Sequence, residues 1–144
     1  MREPMLSVQD LEQRLAAAFP ESFHPGSPLR IEKVWHGGCR VRLEFTENTT
    51  RPGGTISGPT MMMLADVGMY VAVLASIGWE PLAVTTNLNI DFLRKPPPGE
   101  LRAEGELLKL GKRIAVGDFR IFGVEGEEPV ARASLTYSIP PDRA

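Results

Sequence analysis

The run from Ser57 to Gly78 constrains the fold of this chain more than any other segment. From Pro59 to Ile77 nearly every residue is apolar, and both ends carry helix signals. Ser57 or Gly58 fits the N-cap. Pro59 fits a first helical position, where its missing N–H has no partner to lose, and Gly78 fits the left-handed residue that closes a helix. Such a helix is roughly 28 Å long at about 1.5 Å per residue. Being apolar on all faces, it must be enclosed on nearly all sides. Asp66 is its one ionisable group, and a carboxylate in that setting is paired, shifted in pKa or put to use. A membrane span is disfavoured, because the run falls short of about 20 clean apolar residues and contains Asp66 and Gly68. A purely structural Asp66 would need a core partner, since it lies about two turns past the helix start, where the dipole has faded.

With 144 residues, the chain is expected to form one domain spanning 1–144, large enough to build a core without metals or disulfides. The net charge of −2 leaves no basic footprint for nucleic acid. A single cysteine, Cys39, excludes an internal disulfide and suits a reducing compartment. It opens a strand-like run with no motif around it, which argues against a nucleophile. His24 and His36 lack ligand-spaced partners, so no metal site is expected. The N-terminus has no basic segment followed by an apolar stretch, so a cytoplasmic protein without a membrane association is expected.

Around the central helix the chain reads in order. Val8, Leu11, Leu15 and Phe19 mark one face of a helix from Ser7 to about Phe19, with Ser7 and Asp10 spaced as a capping box and Pro20 as its stop. Pro25 to Pro28 is a loop. Leu29 to Trp35 and Cys39 to Thr46 read as strands joined at His36-Gly37-Gly38. After the helix, Ala83 to Leu93 alternates, with Val84, Thr86, Leu88, Ile90 and Phe92 on one face and Thr85, Asn87, Asn89 and Asp91 on the other. Arg94 to Gly99, with three prolines, ends it. Strands at Leu101 to Leu110, Arg113 to Val124 and Val130 to Ile139 follow, linked by turns at Gly111-Lys112 and at Glu125 to Glu128. The tail from Pro140 to Ala144 reads as frayed. The expectation is an α+β fold in which a curved antiparallel sheet wraps one long helix, with a second copy covering edges that remain.

This layout resembles the hotdog fold, and specifically the PaaI-like (phenylacetate-degradation-type) acyl-CoA thioesterases, over roughly Leu29 to Pro140. The resemblance rests on Gly54-Thr55-Ile56-Ser57-Gly58, Leu64-Ala65-Asp66, Asn89-Ile90-Asp91-Phe92-Leu93, the Gly111-Lys112-Arg113 turn and the strand from Ala131 to Tyr137. In that family a His-Gly-Gly stands nine residues before a helix Asp. The resemblance implies that the Gly58 amide binds the thioester oxygen and that Asp66 is the general base or nucleophile, with Thr85 positioning the water or the carboxylate. The physics of those positions agrees. A helix N-terminus offers unpaired N–H groups to an oxyanion, and partial desolvation makes a carboxylate a better base.

The chain departs from the family pattern at three places. Ser57 replaces the His, Pro59 replaces the second Gly, and Arg51 stands where an Asn is usual. Arg51 adds a cation that favours an anionic acyl group or ties down Asp66 or another carboxylate. Met62, Met63, Met69 and Tyr70 offer an adaptable apolar wall for an acyl chain. Arg94, Lys95, Lys112 and Arg113 are candidates to meet the phosphates of coenzyme A, which enters as part of the substrate. His36-Gly37-Gly38 spells the family motif but is followed nine residues later by Phe45, so it is read as a turn. The implied activity is hydrolysis of an acyl-CoA by a homodimer, paired further into a homotetramer, with each site built from two subunits. A non-catalytic acyl-CoA binder and a hotdog dehydratase or hydratase are the competing readings. The latter lacks a His ahead of Pro59.

Overall fold

A computed structural model of the chain describes residues 2–123 and 126–141. Its elements are α1 (Val8–Ala18), α2 (Pro20–Phe23), β1 (Leu29–Trp35), β2 (Gly38–Leu43), a 3-10 turn (Glu47–Thr49), α3 (Gly58–Ile77), β3 (Val84–Phe92), β4 (Leu101–Leu110), β5 (Ile114–Phe122) and β6 (Ala131–Ser138). Val124 and Glu125, at the expected end of a strand and start of a turn, and residues 142–144 of the expected tail lie outside the described residues.

The ends of α3 follow from local chemistry. Ser57 is the N-cap, its hydroxyl accepting from the Thr60 amide at 3.3 Å. Gly58 is the first helical residue and Pro59 the second, so Pro59 stands one position later than expected but still where its missing N–H costs no bond. At the far end Gly78 has φ 102°, a conformation that a side chain would resist, and its amide donates to the Leu74 carbonyl at 2.9 Å.

The six strands form one antiparallel sheet in the order β1-β2-β4-β5-β6-β3, with α3 on its inner face. This is the hotdog arrangement. Register shifts at Ile31/Lys33, Thr85/Asn87 and Leu107/Lys109 bend individual strands, as bulges do, and help the sheet follow the helix. The close approach depends on Phe119, which is 0% exposed. A Cβ on Gly68 of α3 would come within 2.9 Å of its ring, and one on Gly117 would come within 2.5 Å of the Met69 sulfur. Side chains at those positions would push helix and sheet apart.

One expectation is corrected here. The sheet does not enclose α3 on nearly all sides. From Val71 to Ser76 every residue is buried, but in the first half Pro59, Met62, Met63, Asp66, Val67 and Tyr70 form a stripe that is exposed or half-buried. A sheet covers one side of a helix, and α1, anchored through buried Leu11 and Leu15, is too short to cover the rest.

Smaller differences have similarly local causes. β2 stops at Leu43 rather than Thr46, because its partners there are Leu29 and Leu101, the first residues of β1 and β4. The capping box at Ser7 and Asp10 forms with bonds of 3.0 and 3.1 Å. Pro20 stops α1 and itself opens the single turn of α2. His36 and Gly37 are the β1–β2 turn, with Gly37 at φ 92° and its amide donating to the Ser76 hydroxyl at 2.8 Å.

Replacing Phe119 by alanine should therefore cost about 3–5 kcal/mol, the range for a large buried ring whose site cannot collapse. Urea unfolding of Phe119→Ala checks this. A shift below about 1 kcal/mol would mean that the helix–sheet spacing is set elsewhere.

Candidate active site

Asp66 lies on the open stripe of α3, and two hydroxyls from the sheet converge on it. Thr85 Oγ1 donates to Asp66 Oδ1 at 2.6 Å, and Tyr137 OH lies 2.9 Å from the same oxygen and 3.1 Å from the Asp66 carbonyl. With both bonds on Oδ1, Oδ2 has no protein partner among the described residues.

The bulge in β3 makes this possible. Thr85 pairs with Tyr137 and Asn87 pairs with Thr136, leaving Thr86 as the extra residue. In β6 the inward residues are Ala131, Ala133, Leu135 and Tyr137. Their partners in β3 are Phe92, Ile90, Leu88 and Thr85, so Thr85 shares the helix-facing side with the apolar residues. The uninterrupted alternation read from the sequence puts Thr85 with Asn87, Asn89 and Asp91, and the bulge corrects it. Val84 pairs with Ser138, and Thr86 donates to the Thr136 carbonyl at 3.2 Å.

Tyr137 has no candidate role in the sequence analysis. The available signal was the alternation of β6, in which Tyr137 is the one polar residue among four inward positions. Burial, and then the Asp66 charge, push its phenol well above the ordinary tyrosine range. It therefore stays a hydrogen-bond donor at any working pH. Tyr70 packs 6.2 Å from the Tyr137 ring and donates to the Pro81 carbonyl at 2.9 Å. Burial and then the charge of Glu80 push its phenol up to about 12.

Gly58 stands at the other end of the site. Its amide, at the first position of α3, has no acceptor among the described residues. A cavity of about 250 Å³ at this helix end is lined by Gly58, Arg51, Arg94, Lys95 and Phe92 among others, so four of the expected site residues are brought together there. Arg94 is already engaged, with the Glu128 carboxylate at 2.5 Å and the Pro129 carbonyl at 2.6 Å. The described partners of Asp66 are hydroxyls and do not include Arg51.

Other expected residues separate. Met62 and Met63 are 40% and 39% exposed on the open stripe, whereas Met69 is buried against Gly117 and belongs to the core, not to an acyl-facing wall. The Ser57 hydroxyl is occupied by Thr60, 2.7 Å from its Oγ1. Lys112 and Arg113 are exposed in the β4–β5 turn, beside Ser138, while Arg94 lies beside Val130. Those points are the two ends of β6, about 23 Å apart at roughly 3.3 Å per residue. Gly58 and Asp66 are likewise about 12 Å apart along α3. One carbonyl cannot touch both within a single copy.

Cys39 is not part of this site. It is buried, its thiol lies 3.0 Å from the Gly68 carbonyl, and burial pushes its pKa up. Among the described residues no group of three or more His, Cys, Asp and Glu is placed to hold a metal ion.

Residues 53–130 match the family model described as the thioesterase superfamily. A protein of Pseudomonas aeruginosa, provisionally named an esterase, is 32% identical over 84% of this chain and 97% of its own length. A crystal structure from a Silicibacter species, provisionally titled a thioesterase, is 45% identical with a TM-score of 0.86, covering 96% of this chain and 95% of that one. Zebrafish thioesterase superfamily member 2 shares the fold at 20% identity, with a TM-score of 0.80 over 94% and 99% of the two chains.

The chain's two tyrosines make the electrostatics directly testable. Both folded pKa values lie above the unfolded value of about 10, so their contribution to stability is whole below about pH 10 and is lost as pH rises through the folded values. Ultraviolet titration of the native protein should show no phenolate at about pH 10. The same titration of Tyr70→Phe, which leaves Tyr137 as the single tyrosine, assigns the signal: phenolate absorbance at about pH 10 in that folded variant would contradict the burial of Tyr137 against Asp66. Cys39 in turn should react with a thiol reagent only on unfolding, and prompt labelling of the native protein would refute its burial.

Proposed function

Since this chain belongs to the thioesterase superfamily, we propose that it is a PaaI-like hydrolase of acyl-CoA thioesters. The observation that carries the proposal is the Asp66 carboxylate, held by Thr85 and Tyr137 through one oxygen with the other left open. In this reading Oδ2 takes a proton from a water molecule as that water attacks the thioester carbonyl. The carbonyl pair moves onto oxygen, and the resulting oxyanion rests on the Gly58 N–H at the positive end of α3. Collapse of the tetrahedral intermediate breaks the C–S bond. The coenzyme A thiolate departs as a good leaving group, taking a proton from Asp66 or solvent, and the free acid remains.

Because Gly58 and Asp66 of one copy cannot share a carbonyl, the site is proposed to form between two copies. β3 is an edge strand, bonded only to β6, and the open stripe of α3 lies beside it. Antiparallel pairing of two β3 strands about a twofold axis continues the sheet and sets the Phe92 end of one strand beside the Thr85 end of the other. Gly58 of one copy then faces Asp66 of the second. Arg51, Arg94 and Lys95 accompany Gly58, and Lys112 and Arg113 approach from the Asp66 end, so cations from both copies frame the mouth where the coenzyme A phosphates are expected. The resemblance further suggests a dimer of dimers acting in the cytoplasm.

Release of free thiol from acyl-CoA should fall about 10²–10⁴-fold in Asp66→Asn. Gly58→Pro deletes the proposed donor at the first helical position, where the added Cβ lies 3.2 Å from the Phe92 ring and makes that ring shift slightly, and it should lower kcat about 10²–10³-fold. Mixing the two inactive variants after subunit exchange should restore about a quarter of wild-type activity, because half the dimers are mixed and each then has one intact site. No recovery in verified mixed dimers would exclude the shared site. Acyl-CoA binding without any turnover would leave the protein a binder.

A further inference from the structure

A cavity of about 460 Å³ opens beside Asp66, lined by Thr85 and Tyr137, which hold the carboxylate, and by Val67, Tyr70, Phe19 and Phe23 among others. Its volume suits a small-molecule group. None of its lining residues carries a charge.

The rings run outward in sequence. Tyr137 touches Asp66, Tyr70 packs 6.2 Å from Tyr137, and Phe19 meets Tyr70 edge-on at 5.9 Å and 86°. Phe19 is thus the ring furthest along this row from the carboxylate. It and Phe23 come from the α1–α2 segment, ahead of the sheet and outside the residues that match the family model. That segment is firmly held. Leu11 and Leu15 are fully buried, the Phe19 amide donates to the Leu15 carbonyl at 2.7 Å, and the Phe23 amide donates to the Phe19 carbonyl at 2.9 Å. Phe19 nonetheless remains 42% exposed, and exposed Val84 flanks the same opening. Pro20 forces the break between the two helices that turns Phe19 toward α3.

Resting on the thioesterase reading above, we propose that this cavity receives the acyl group, that it selects an uncharged apolar one, and that Phe19 and Phe23 close its outer end and set the acyl length accepted. A charged acyl terminus would be desolvated among rings and aliphatic side chains with no counter-ion, which is costly. An acyl chain longer than the row of rings would have to displace Phe19. The N-terminal segment is then a specificity element laid over a site whose chemistry is built by α3, β3 and β6.

The test is kcat/KM over straight-chain acyl-CoAs from acetyl to palmitoyl, with a dicarboxylic acyl-CoA for charge, in wild type, Phe19→Ala and Phe23→Leu. Phe23→Leu is included because Phe23 also packs on the core and the smaller change keeps it folded. Wild type should cut off at a definite length and discriminate against the charged acyl group. In Phe19→Ala the ratio of the first excluded length to the best wild-type substrate should rise about tenfold or more, the scale of one methylene in a fitted pocket. A uniform fall across all lengths would mark the two rings as structural, and an unchanged profile would place the acyl group elsewhere. Either result overturns the proposal. Calorimetric binding of the same series to Asp66→Asn separates the two readings. If wild type hydrolyses nothing but bound length still shifts with Phe19→Ala in that background, the pocket stands while the hydrolase reading falls. Failure to bind any acyl-CoA overturns both.

Discussion

The structure depends on the problem of burying a helix that is apolar on every side with a single sheet. Six strands bent around α3 enclose its second half, where even Ser76 is satisfied internally by the Ala72 carbonyl at 2.7 Å and by the Gly37 amide. Tight contact relies on glycines at Gly68 and Gly117, which let Phe119 and Met69 fill the gap between helix and sheet. The first half of α3 is only partly covered, and Asp66 sits in that half. Two turns further on, the same carboxylate would be sealed among aliphatic side chains, where an ionised group is untenable without a counter-ion. The location of Asp66 thus follows from where the sheet stops covering the helix.

A second constraint is parity along β3. In a strand, side chains alternate, so a residue beside an apolar core is normally apolar. Thr85 escapes this rule because the extra residue at Thr86 shifts the phase, sending Leu88, Ile90 and Phe92 inward on one side of the bulge and Thr85 inward on the other. Tyr137 is its cross-strand partner, so the two hydroxyls reach Asp66 from adjacent strands. The pair tethers the sheet edge to the helix and orients the carboxylate at the same time. Both hydroxyls bind one oxygen, so the fixed orientation leaves the second oxygen open.

Much of this was legible in the residues. The helix ends and the succession of helices and strands along the chain are local or periodic signals, carried by Ser57, Pro59 and Gly78 and by the turn residues between the apolar runs. The mutual distance of Gly58 and Asp66 was also implicit in the rise of a helix. The bulge at Thr86 was not legible, because Val84 to Phe92 alternates without a glycine or proline to mark a break. Tyr137 was hidden for a related reason. Its significance depends on which strand lies beside β6, and long-range pairing leaves no local trace. The same holds for Phe19, whose spacing with Leu11 and Leu15 marks it as one more residue of a helix face. Only the turn at Pro20 separates it from that face and carries it over Tyr70.

Three features left incomplete in one copy point to the same remedy. The outer edge of β3 has unpaired backbone groups, the stripe through Met62 and Met63 exposes apolar surface, and the Gly58 amide lies about 12 Å from the carboxylate it would have to work with. Each could be met separately, by a covering loop, by polar substitution or by a different oxyanion donor. The twofold pairing proposed above meets all three at once, since antiparallel β3 strands necessarily juxtapose opposite ends. It also explains why Ser57 can serve only as a cap. In such an arrangement the donor is the backbone of the helix end, so the residue before it must above all keep that end in shape. A hydroxyl bonded to Thr60 does this, and the Gly58 N–H is left without an acceptor among the described residues.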